Sequence, residues 1–371
     1  MVRRVRRKAP ARCGLGEKSE MILSETYLSA FGGFPLAARL NGIEPVWASE
    51  IMKAPVSITK RHFPNMAHLG DITLLDGGKI PPVDIITFGS PCQNFSQIGD
   101  RAGLAGKKSN LFFQAIRIIN EMRDATGNLF PTFAVWENVM GSLSSGNRLD
   151  FGAVLTAFAG CPVPMPASGK WANAGMVRGG QPDLAWQLMD AQYWARPPLA
   201  RRKRVFLLAD FRGRRAAKIL FRPPGVRPIS GTGGPGGNPA APGDRSPFLE
   251  AGGRVPIVYP FQMYRMRAAA ANQNHAQFIG GFGRRNDPFP TILASRNAPF
   301  AFWYEDDPAG GCVRYLTERE TERAMGLPDG WTEFGAAGER ISPAQRYMAL
   351  GNSIALPCAF YIMEGIKNSV N

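Results

Sequence analysis

The chain has 371 residues, 44% of them hydrophobic and 20% charged, which is typical of a globular protein and argues against a disordered one. No run of about 18 apolar residues occurs, so we expect no membrane span, and the basic N-terminus lacks the apolar segment of a secretory signal. The net charge of +15 predicts a polyanionic partner, nucleic acid first, with a merely solubilising surface as the alternative.

The first segment, residues 1–20, holds seven basic residues against two acidic ones, so it carries +5 and the rest of the chain +10. We expect a flexible basic arm here, or an upstream extension if translation starts at Met21 rather than Met1. The five cysteines and three histidines are scattered without paired spacing. Neither a disulfide framework nor a metal site is therefore expected, and reduced thiols fit a cytoplasmic protein.

Short apolar segments alternate with stretches of helical periodicity over residues 21–211. The predicted strands lie near 22–28, 45–48, 83–88, 133–136 and 205–208, and the predicted helices cover 35–41 and 110–123. Strands that alternate with helices form βαβ units, whose strands run parallel. The pattern therefore predicts an α/β domain built on a doubly wound, mostly parallel sheet.

The character of the sequence changes after residue 211. Residues 231–247 are rich in glycine and proline and read as a loop or linker, and residues 250–312 are short apolar pieces that predict an irregular β-rich module. Helical periodicity returns after that module. The predicted organisation is a basic extension (1–20), an α/β domain (21–211), a β-rich module (212–312) and a C-terminal return to the α/β domain (313–371).

A cysteine, Cys92, follows the predicted strand at 83–88 within the segment FGSPCQNFS. The carboxyl ends of parallel strands are where open α/β sheets bind their ligands. Pro91 and the polar residues after Cys92 predict an exposed loop, in which a thiolate would be a competent nucleophile. The alternative is a buried cysteine that serves as a small apolar residue.

Two charged motifs follow further along the chain. The strand FAVWENV ends with Glu137, an acid that could face the same cleft as Cys92. The segment RRKRVF begins another strand, and alternation along it brings Arg202 and Arg204 onto one face. Taken alone, such a basic run fits a solvated surface or a phosphate contact equally well.

In this order, PCQ, ENV and the RRKR segment resemble the motifs of the DNA (cytosine-5)-methyltransferase family. Downstream, RYLTERETERAMGLP (314–328) is similar to the family's RxLTxxExxRxxGxP element, and GNSI (351–354) resembles its final GNSV. Stretches such as GIEPVWASEI and VDIITFGSPCQ look most like phage- and prophage-type enzymes. The resemblance implies the Rossmann-like fold of methyltransferases that use S-adenosylmethionine, with the β-rich module as the target-recognition domain.

The resemblance also implies the reaction, which is methyl transfer to C5 of a cytosine flipped out of duplex DNA. Cys92 would add to C6 of the ring, because the C6 addition makes C5 nucleophilic. Glu137 would contact N3 and the exocyclic amino group, and Arg204 would bind O2 with support from Arg202. The protein would act as a monomer, without metal or membrane, in the cytoplasm of a bacterial or phage-infected cell.

Binding residues follow from the same resemblance. The donor pocket would use Phe31, Gly32, Gly33, Glu50, Asp71, Ile72, Pro91, Leu111, Asn352 and Ser353. Within it, Glu50 would bind the ribose hydroxyls and Asp71 the adenine, although each could be an ordinary cap or loop acid. DNA would contact Gln93, Ser96, Arg284, Arg285, Thr291 and Ile292. The residues from the β-rich module could equally be surface charge and local packing.

Two positions depart from the family pattern. Ala30 replaces a glycine of the first motif, beside the bulky Phe31, and a Cβ there could weaken donor binding. Ala200 stands at a glutamine position, with about two extra residues upstream that could shift the register of Arg202 and Arg204. These departures leave open a degenerate homologue that binds DNA or donor without turnover. Methylation of cytosine in tRNA is a third possibility, which the long β-rich module argues against.

Overall fold

The computed structural model describes residues 20–24, 31–89, 110–180, 182–194, 200–223, 257–265, 278–282, 290–294, 300–304 and 307–370. A large sheet dominates this part of the chain. Its strands are β1 (Glu20–Ser24), β2 (Glu44–Ser49), β3 (Ala67–His68), β4 (Ile85–Gly89), β5 (Phe133–Val139), β6 (Ala174–Val177), β7 (Asp183–Asp190) and β8 (Lys203–Asp210). The helices are α1 (Gly33–Leu40), α2 (Lys53–His62), α3 (Asn110–Ala125), α4 (Leu149–Ala159), α5 (Ala216–Leu220), α6 (Glu318–Ala324), α7 (Pro343–Asn352) and α8 (Leu356–Val370).

The strand order in the large sheet is β3-β2-β1-β4-β5-β8-β7-β6. The first five strands are parallel, whereas β8 is antiparallel to β5, and β7 and β6 continue with antiparallel pairs. The chain moves outward from β1 through β2 to β3 and then returns to β4 on the other side of β1. This reversal creates a switch point at the carboxyl ends of β1 and β4, where doubly wound sheets bind ligands.

Both faces of the sheet are covered, which explains the continuous apolar runs of its central strands. Alternate residues of one strand enter opposite cores: Phe133 and Val135 of β5 pack into one core, and Ala134 and Trp136 into the other. The first core includes α1, α5 and α8, and the second includes α3 and α4. Each fully buried large apolar side chain contributes about 1.5–3 kcal/mol.

Side-chain caps fix where the two C-terminal helices α6 and α7 begin. Thr317 accepts a hydrogen bond from the N–H of Glu320, whose carboxylate accepts from the N–H of Thr317. Ser342 and Gln345 form the same reciprocal pair before α7, and Pro343 occupies its first position. Proline is tolerated there because the first helical N–H has no partner within the helix.

A second sheet of four antiparallel strands has the order β10-β9-β11-β12. Its strands are β9 (Ile257–Arg265), β10 (Phe278–Phe282), β11 (Phe300–Tyr304) and β12 (Asp307–Arg314). Most of this sheet lies within the range predicted for the β-rich module. Helix α5 also falls in that range but packs on the large sheet, where the N–H of Ala216 donates to Asp183. We propose that the module begins beyond residue 223 and not at residue 212.

The predicted doubly wound, mostly parallel sheet is confirmed, but β3, β6 and β7 had no predicted counterpart. Over the described ranges, no single helix is long and apolar enough to cross a membrane, although α7 and α8 pass that test together across a bend of 46°. No group of three or more His, Cys, Asp or Glu residues that could hold a metal ion occurs there either. The predicted N-terminal arm and the glycine- and proline-rich segment lie outside the described residues.

Candidate active site

Glu137 and Arg204 form an ion pair at the carboxyl end of β5. In the antiparallel pair of β5 and β8, Val139 is the partner of Arg204, so Glu137, two residues earlier, lies on the same face as Arg204. The Nε atom of Arg204 lies 2.9 Å from Oε1 of Glu137. The carboxylate is almost fully buried and the guanidinium is 13% exposed. The strand register alone therefore brings these two predicted residues together.

The charge state of Glu137 reflects two opposing effects. Burial raises the pKa of its carboxyl above the ordinary value, because a buried carboxylate loses hydration. The positive charges of Arg204 and Arg202 lower the pKa, but burial dominates. A carboxyl with a raised pKa can take up a proton when a ligand draws the neighbouring guanidinium away.

The strand end that precedes Cys92 lies beside this pair. β4 and β5 are parallel neighbours, and Gly89, the last residue of β4, is the register partner of Glu137. Cys92 comes three residues after Gly89 in the sequence. Cys92 itself lies outside the described residues, as do the other predicted site residues Pro91, Gln93, Ser96, Arg284 and Arg285. Their roles stay predictions.

Arg202 is buried and binds main-chain carbonyls. Its guanidinium donates to the carbonyl oxygens of Ile292 at 3.0 Å, Gly351 at 2.9 Å and Ser353, and its own N–H donates to Asp190 at 3.0 Å. Burial lowers the pKa of Arg202 to about 9. Because its guanidinium already donates to three carbonyls, Arg202 fits a supporting role and not direct contact with a nucleobase.

The Thr291–Ile292 pair is packed against the large sheet. The hydroxyl of Thr291, an exposed residue, donates to the carbonyl of Arg201 at 2.7 Å. Ile292 is 2% exposed and its side chain lies in the same core as α1 and α8. The prediction that the side chain of Ile292 contacts DNA is therefore wrong, because this side chain packs in the apolar core. Of the pair, only Thr291 is accessible.

The Ala200 departure does not displace the arginines. Ala200 is buried, and its N–H donates to the carbonyl of Ala324 at 3.4 Å. Four residues later, Arg204 still reaches Glu137. Arg204 therefore pairs with Glu137 in the chain that carries Ala200.

Glu50 carries an unsatisfied oxygen at the end of β2. Its Oε1 atom accepts from the N–H groups of Ile51 at 2.7 Å and Met52 at 2.8 Å. Its Oε2 atom is buried without a hydrogen-bond partner, as is the hydroxyl of Ser353. Burial also raises the pKa of Glu50. Buried polar atoms are nearly always paired, so these two oxygens fit a ligand that brings hydroxyl or other polar groups.

The turn from Phe31 to Gly33 lies close to the Ser353 hydroxyl. Gly32 has φ +80°, a conformation that favours glycine, and a Cβ there would lie 3.0 Å from Thr59. A Cβ on Gly33 would lie 3.0 Å from Ile354 and 3.5 Å from the hydroxyl of Ser353. Phe31 is fully buried in the core. Its ring therefore packs within the core and not in the loop. Ala30 lies outside the described residues.

The other predicted donor residues differ in how well they fit a pocket. Asp71 accepts from the N–H of Thr73 at 2.9 Å and from its hydroxyl at 2.8 Å, as an ordinary cap of a short helical turn. Ile72 is buried and Leu111 is half-buried. Asn352 lines a cavity of about 200 Å³ between the start of α2 and α7.

Sequence reasoning missed an apolar residue beside Glu50. Ile51 is 55% exposed, which is unusual for isoleucine directly after a buried strand and a buried acid. Its position in the sequence, next to Glu50, could have suggested a flat apolar ligand surface. Sequence reasoning also missed Trp331, whose contacts with the Phe31 turn are described below.

The chain is similar to DNA methyltransferases of known sequence and structure. Residues 27–161 match the family described as C-5 cytosine-specific DNA methylase. The chain is 34% identical over 215 residues to the DNA N-6-adenine-methyltransferase of Escherichia phage P1, covering 50% of this chain and 28% of that protein. It is 28% identical over 225 residues to the Type II methyltransferase M.NgoBV of Neisseria gonorrhoeae, covering 59% of this chain and 46% of that protein. The chain thus spans less than half the length of either relative.

A solved structure is similar over nearly the whole chain. It is a DNA modification methyltransferase encoded within a prophage of E. coli, with a TM-score of 0.58 and 17% identity, covering 95% of this chain and 100% of that one. At this identity the likeness establishes the fold alone. The predicted Rossmann-like methyltransferase fold is confirmed, and phage and prophage proteins are among the similar proteins, as the sequence predicted.

Proposed function

Because residues 27–161 match the C-5 cytosine-specific DNA methylase family, we propose that the chain transfers a methyl group from S-adenosylmethionine to C5 of cytosine in duplex DNA. The observation that carries this proposal is the buried ion pair of Glu137 and Arg204 beside the strand end that leads to Cys92. A carboxyl and a guanidinium on one face match the N3 edge and the O2 atom of cytosine. We call the part of the site that is formed by Glu137 and Arg204 the base half.

Cytosine entering the base half would compete for Arg204. Once the guanidinium donates to O2, it stabilises Glu137 less, and the carboxyl pKa, already raised by burial, rises further. Glu137 is then able to hold a proton and donate it to N3 as negative charge develops on the ring. The base must leave the duplex to reach this buried pair, as bases do in methyltransferases generally.

Cys92 supplies the nucleophile in this proposal. Its thiolate forms a bond to C6, the electrons of the C5–C6 double bond shift toward the ring edge held by Glu137, and C5 becomes nucleophilic. S-adenosylmethionine, when bound, would supply an electrophilic methyl group to C5, and its sulfur would keep the electron pair of the broken S–CH₃ bond. A base then removes the C5 proton, the C5–C6 double bond re-forms, and the C6–S bond breaks to return the thiolate of Cys92.

Glu50, Ser353 and the Gly32–Gly33 turn would hold the donor, and we call this side the donor half. The unpaired Oε2 of Glu50 matches a ribose hydroxyl, which donates a hydrogen bond to a carboxylate. The glycines let the main chain approach a ligand closely. The exposed side chain of Ile51 offers an apolar surface to a flat ring.

One relative raises a second candidate function, methylation of adenine N6, because its name is DNA N-6-adenine-methyltransferase. The aligned stretch covers only 28% of that protein, so its adenine activity can belong to another part of its length. Methylation of an exocyclic nitrogen also needs no thiol adduct at a ring carbon. The base half therefore favours cytosine C5, and an inactive homologue and a tRNA enzyme remain the alternatives to test.

The test is transfer of labelled methyl groups to duplex DNA and, separately, to tRNA, followed by analysis of the modified nucleosides. We expect 5-methylcytosine from DNA only, abolished in Cys92→Ser and retained in Cys161→Ser, which changes an exposed free thiol. Labelled N6-methyladenine, labelled tRNA, or binding without any transfer would each contradict the proposal. Bisulfite sequencing of host DNA after expression identifies the target sequence.

A further inference from the structure

The turn that opens the donor half lacks a side-chain cap of its own. Gly32 is the N-cap of α1 in a left-handed conformation and has no side chain to bond the free N–H groups. The turn is held instead from the far end of the chain. The indole N–H of Trp331 donates to the carbonyl of Phe31 at 2.9 Å, and the two residues are 300 positions apart. Both side chains are buried.

Trp331 is itself fixed on both sides of its ring system. The ring of His62 stacks on the indole with centroids 3.6 Å apart and planes within 5°. The Nε2 atom of His62 also lies 2.7 Å from the carbonyl of Trp331. Phe63 meets the indole edge to face at 6.1 Å. Such packing leaves the indole one orientation, with its N–H aimed at the turn.

The main chain around Trp331 is anchored by a buried carboxylate. Glu322 accepts from the N–H of Gly330 at 2.7 Å and from the N–H of Thr332 at 2.8 Å, the residues on either side of Trp331. Arg346 of α7 donates to the same carboxylate at 2.9 Å. Glu322 is fully buried, so its charge is balanced by these donors and not by water.

We infer that Trp331 is a positioning residue for the methyl donor: its indole N–H sets the Phe31–Gly32 peptide in the orientation that binds the ligand. The inference rests on the proposed donor half. A hydrogen bond between buried partners has no competing water, so its loss frees this peptide to rotate. Gly32 permits that rotation, because glycine reaches conformations that other residues do not.

The test substitutes Trp331→Phe, which keeps an aromatic ring against His62 but removes the donor N–H together with part of the indole. The matched control is Trp171→Phe, another buried tryptophan, whose indole N–H donates to the carbonyl of Arg148 at 2.8 Å in the opposite core. Binding of S-adenosylmethionine and of duplex DNA is measured by direct titration for wild type and both variants, beside thermal unfolding.

We expect Trp331→Phe to weaken donor binding roughly tenfold, with DNA affinity within twofold of wild type. The control should lose a similar amount of thermal stability while donor binding stays within twofold. Equal donor affinity in Trp331→Phe and wild type, or equal weakening in both variants, would overturn the inference and leave the proposed function intact. A wild-type protein that binds no donor would overturn both.

Discussion

The base half of the crevice is held by neighbouring strands of one sheet, whereas the donor half is assembled from segments far apart in the chain. Glu137 and Arg204 face each other because β5 and β8 are hydrogen-bonded in a fixed register. The donor half combines Glu50, which follows β2, with the Phe31–Gly33 turn, and that turn contacts Ile354 and Ser353 between α7 and α8 as well as Trp331. The register of the sheet therefore fixes the base half, whereas packing between distant segments fixes the donor half.

This difference predicts two kinds of sensitivity. Substitutions in the base half should change chemistry while leaving the structure and donor binding intact, because the strands stay paired. Substitutions that loosen the C-terminal contacts should weaken donor binding or stability before they affect the ion pair. Arg202 links the two halves, since it directly precedes β8 and binds the carbonyls of Gly351 and Ser353.

The largest effect is expected for Glu137→Gln. The amide keeps the size of the carboxyl but cannot deliver a proton to N3, so kcat should fall about 10²–10⁴-fold. Donor affinity should stay within twofold, because Glu137 belongs to the base half. Steady-state methylation measures kcat, and donor titration measures donor affinity. A fall in donor affinity as large as that in kcat would contradict the division into a base half and a donor half.

The sequence was most informative where function depends on one strand and its neighbour. The order of PCQ, ENV and RRKR predicted residues at adjacent strand ends, and alternation along β8 placed Arg204 on the correct face. Side-chain chemistry and local periodicity carry that information. Among the described residues of the base half, the structure brings Glu137 and Arg204 together, and the contacts of Arg202 fit the supporting role that the sequence predicted.

The sequence was least informative where main-chain groups are the partners. The acceptors of Arg202 are carbonyls about 90 to 151 positions away, and any residue type carries a carbonyl. For the same reason nothing in the sequence indicated that Trp331 bonds to Phe31. The burial of the Phe31 ring could not be predicted either, because it depends on packing against distant helices.

The next largest effect is expected for Arg202→Lys. An ammonium cannot reach three separate carbonyls with the planar fork that a guanidinium provides, and the buried oxygens left without donors cost free energy. The free energy of unfolding should fall by about 3 kcal/mol in chemical denaturation. Arg201→Lys, at the exposed neighbouring position, is the control and should change it by less than about 0.5 kcal/mol. Equal losses of stability in the two variants would show that the bonds of Arg202 to Ile292, Gly351 and Ser353 do not stabilise the fold.

The smallest effect is expected for Glu50→Gln, which should weaken donor binding about tenfold without changing DNA affinity. The pKa of Glu50 is raised by burial, so the carboxyl takes up a proton at a higher pH than an exposed glutamate. Donor affinity of the wild type should therefore decrease as the pH falls through that raised pKa, and the Gln variant should lack this decrease. Donor titration at several pH values checks both; a variant with wild-type affinity would remove Glu50 from the donor half.

The most direct test of the account is trapping of the bond between Cys92 and the ring. Duplex DNA with 5-fluorocytosine at the target position blocks the last step, because fluorine cannot leave C5 as a proton. In the presence of S-adenosylmethionine the account predicts a covalent protein–DNA complex whose attachment maps to Cys92 and which Cys92→Ser abolishes. A protein that methylates cytosine but forms no such complex, or attachment at another residue, would contradict it.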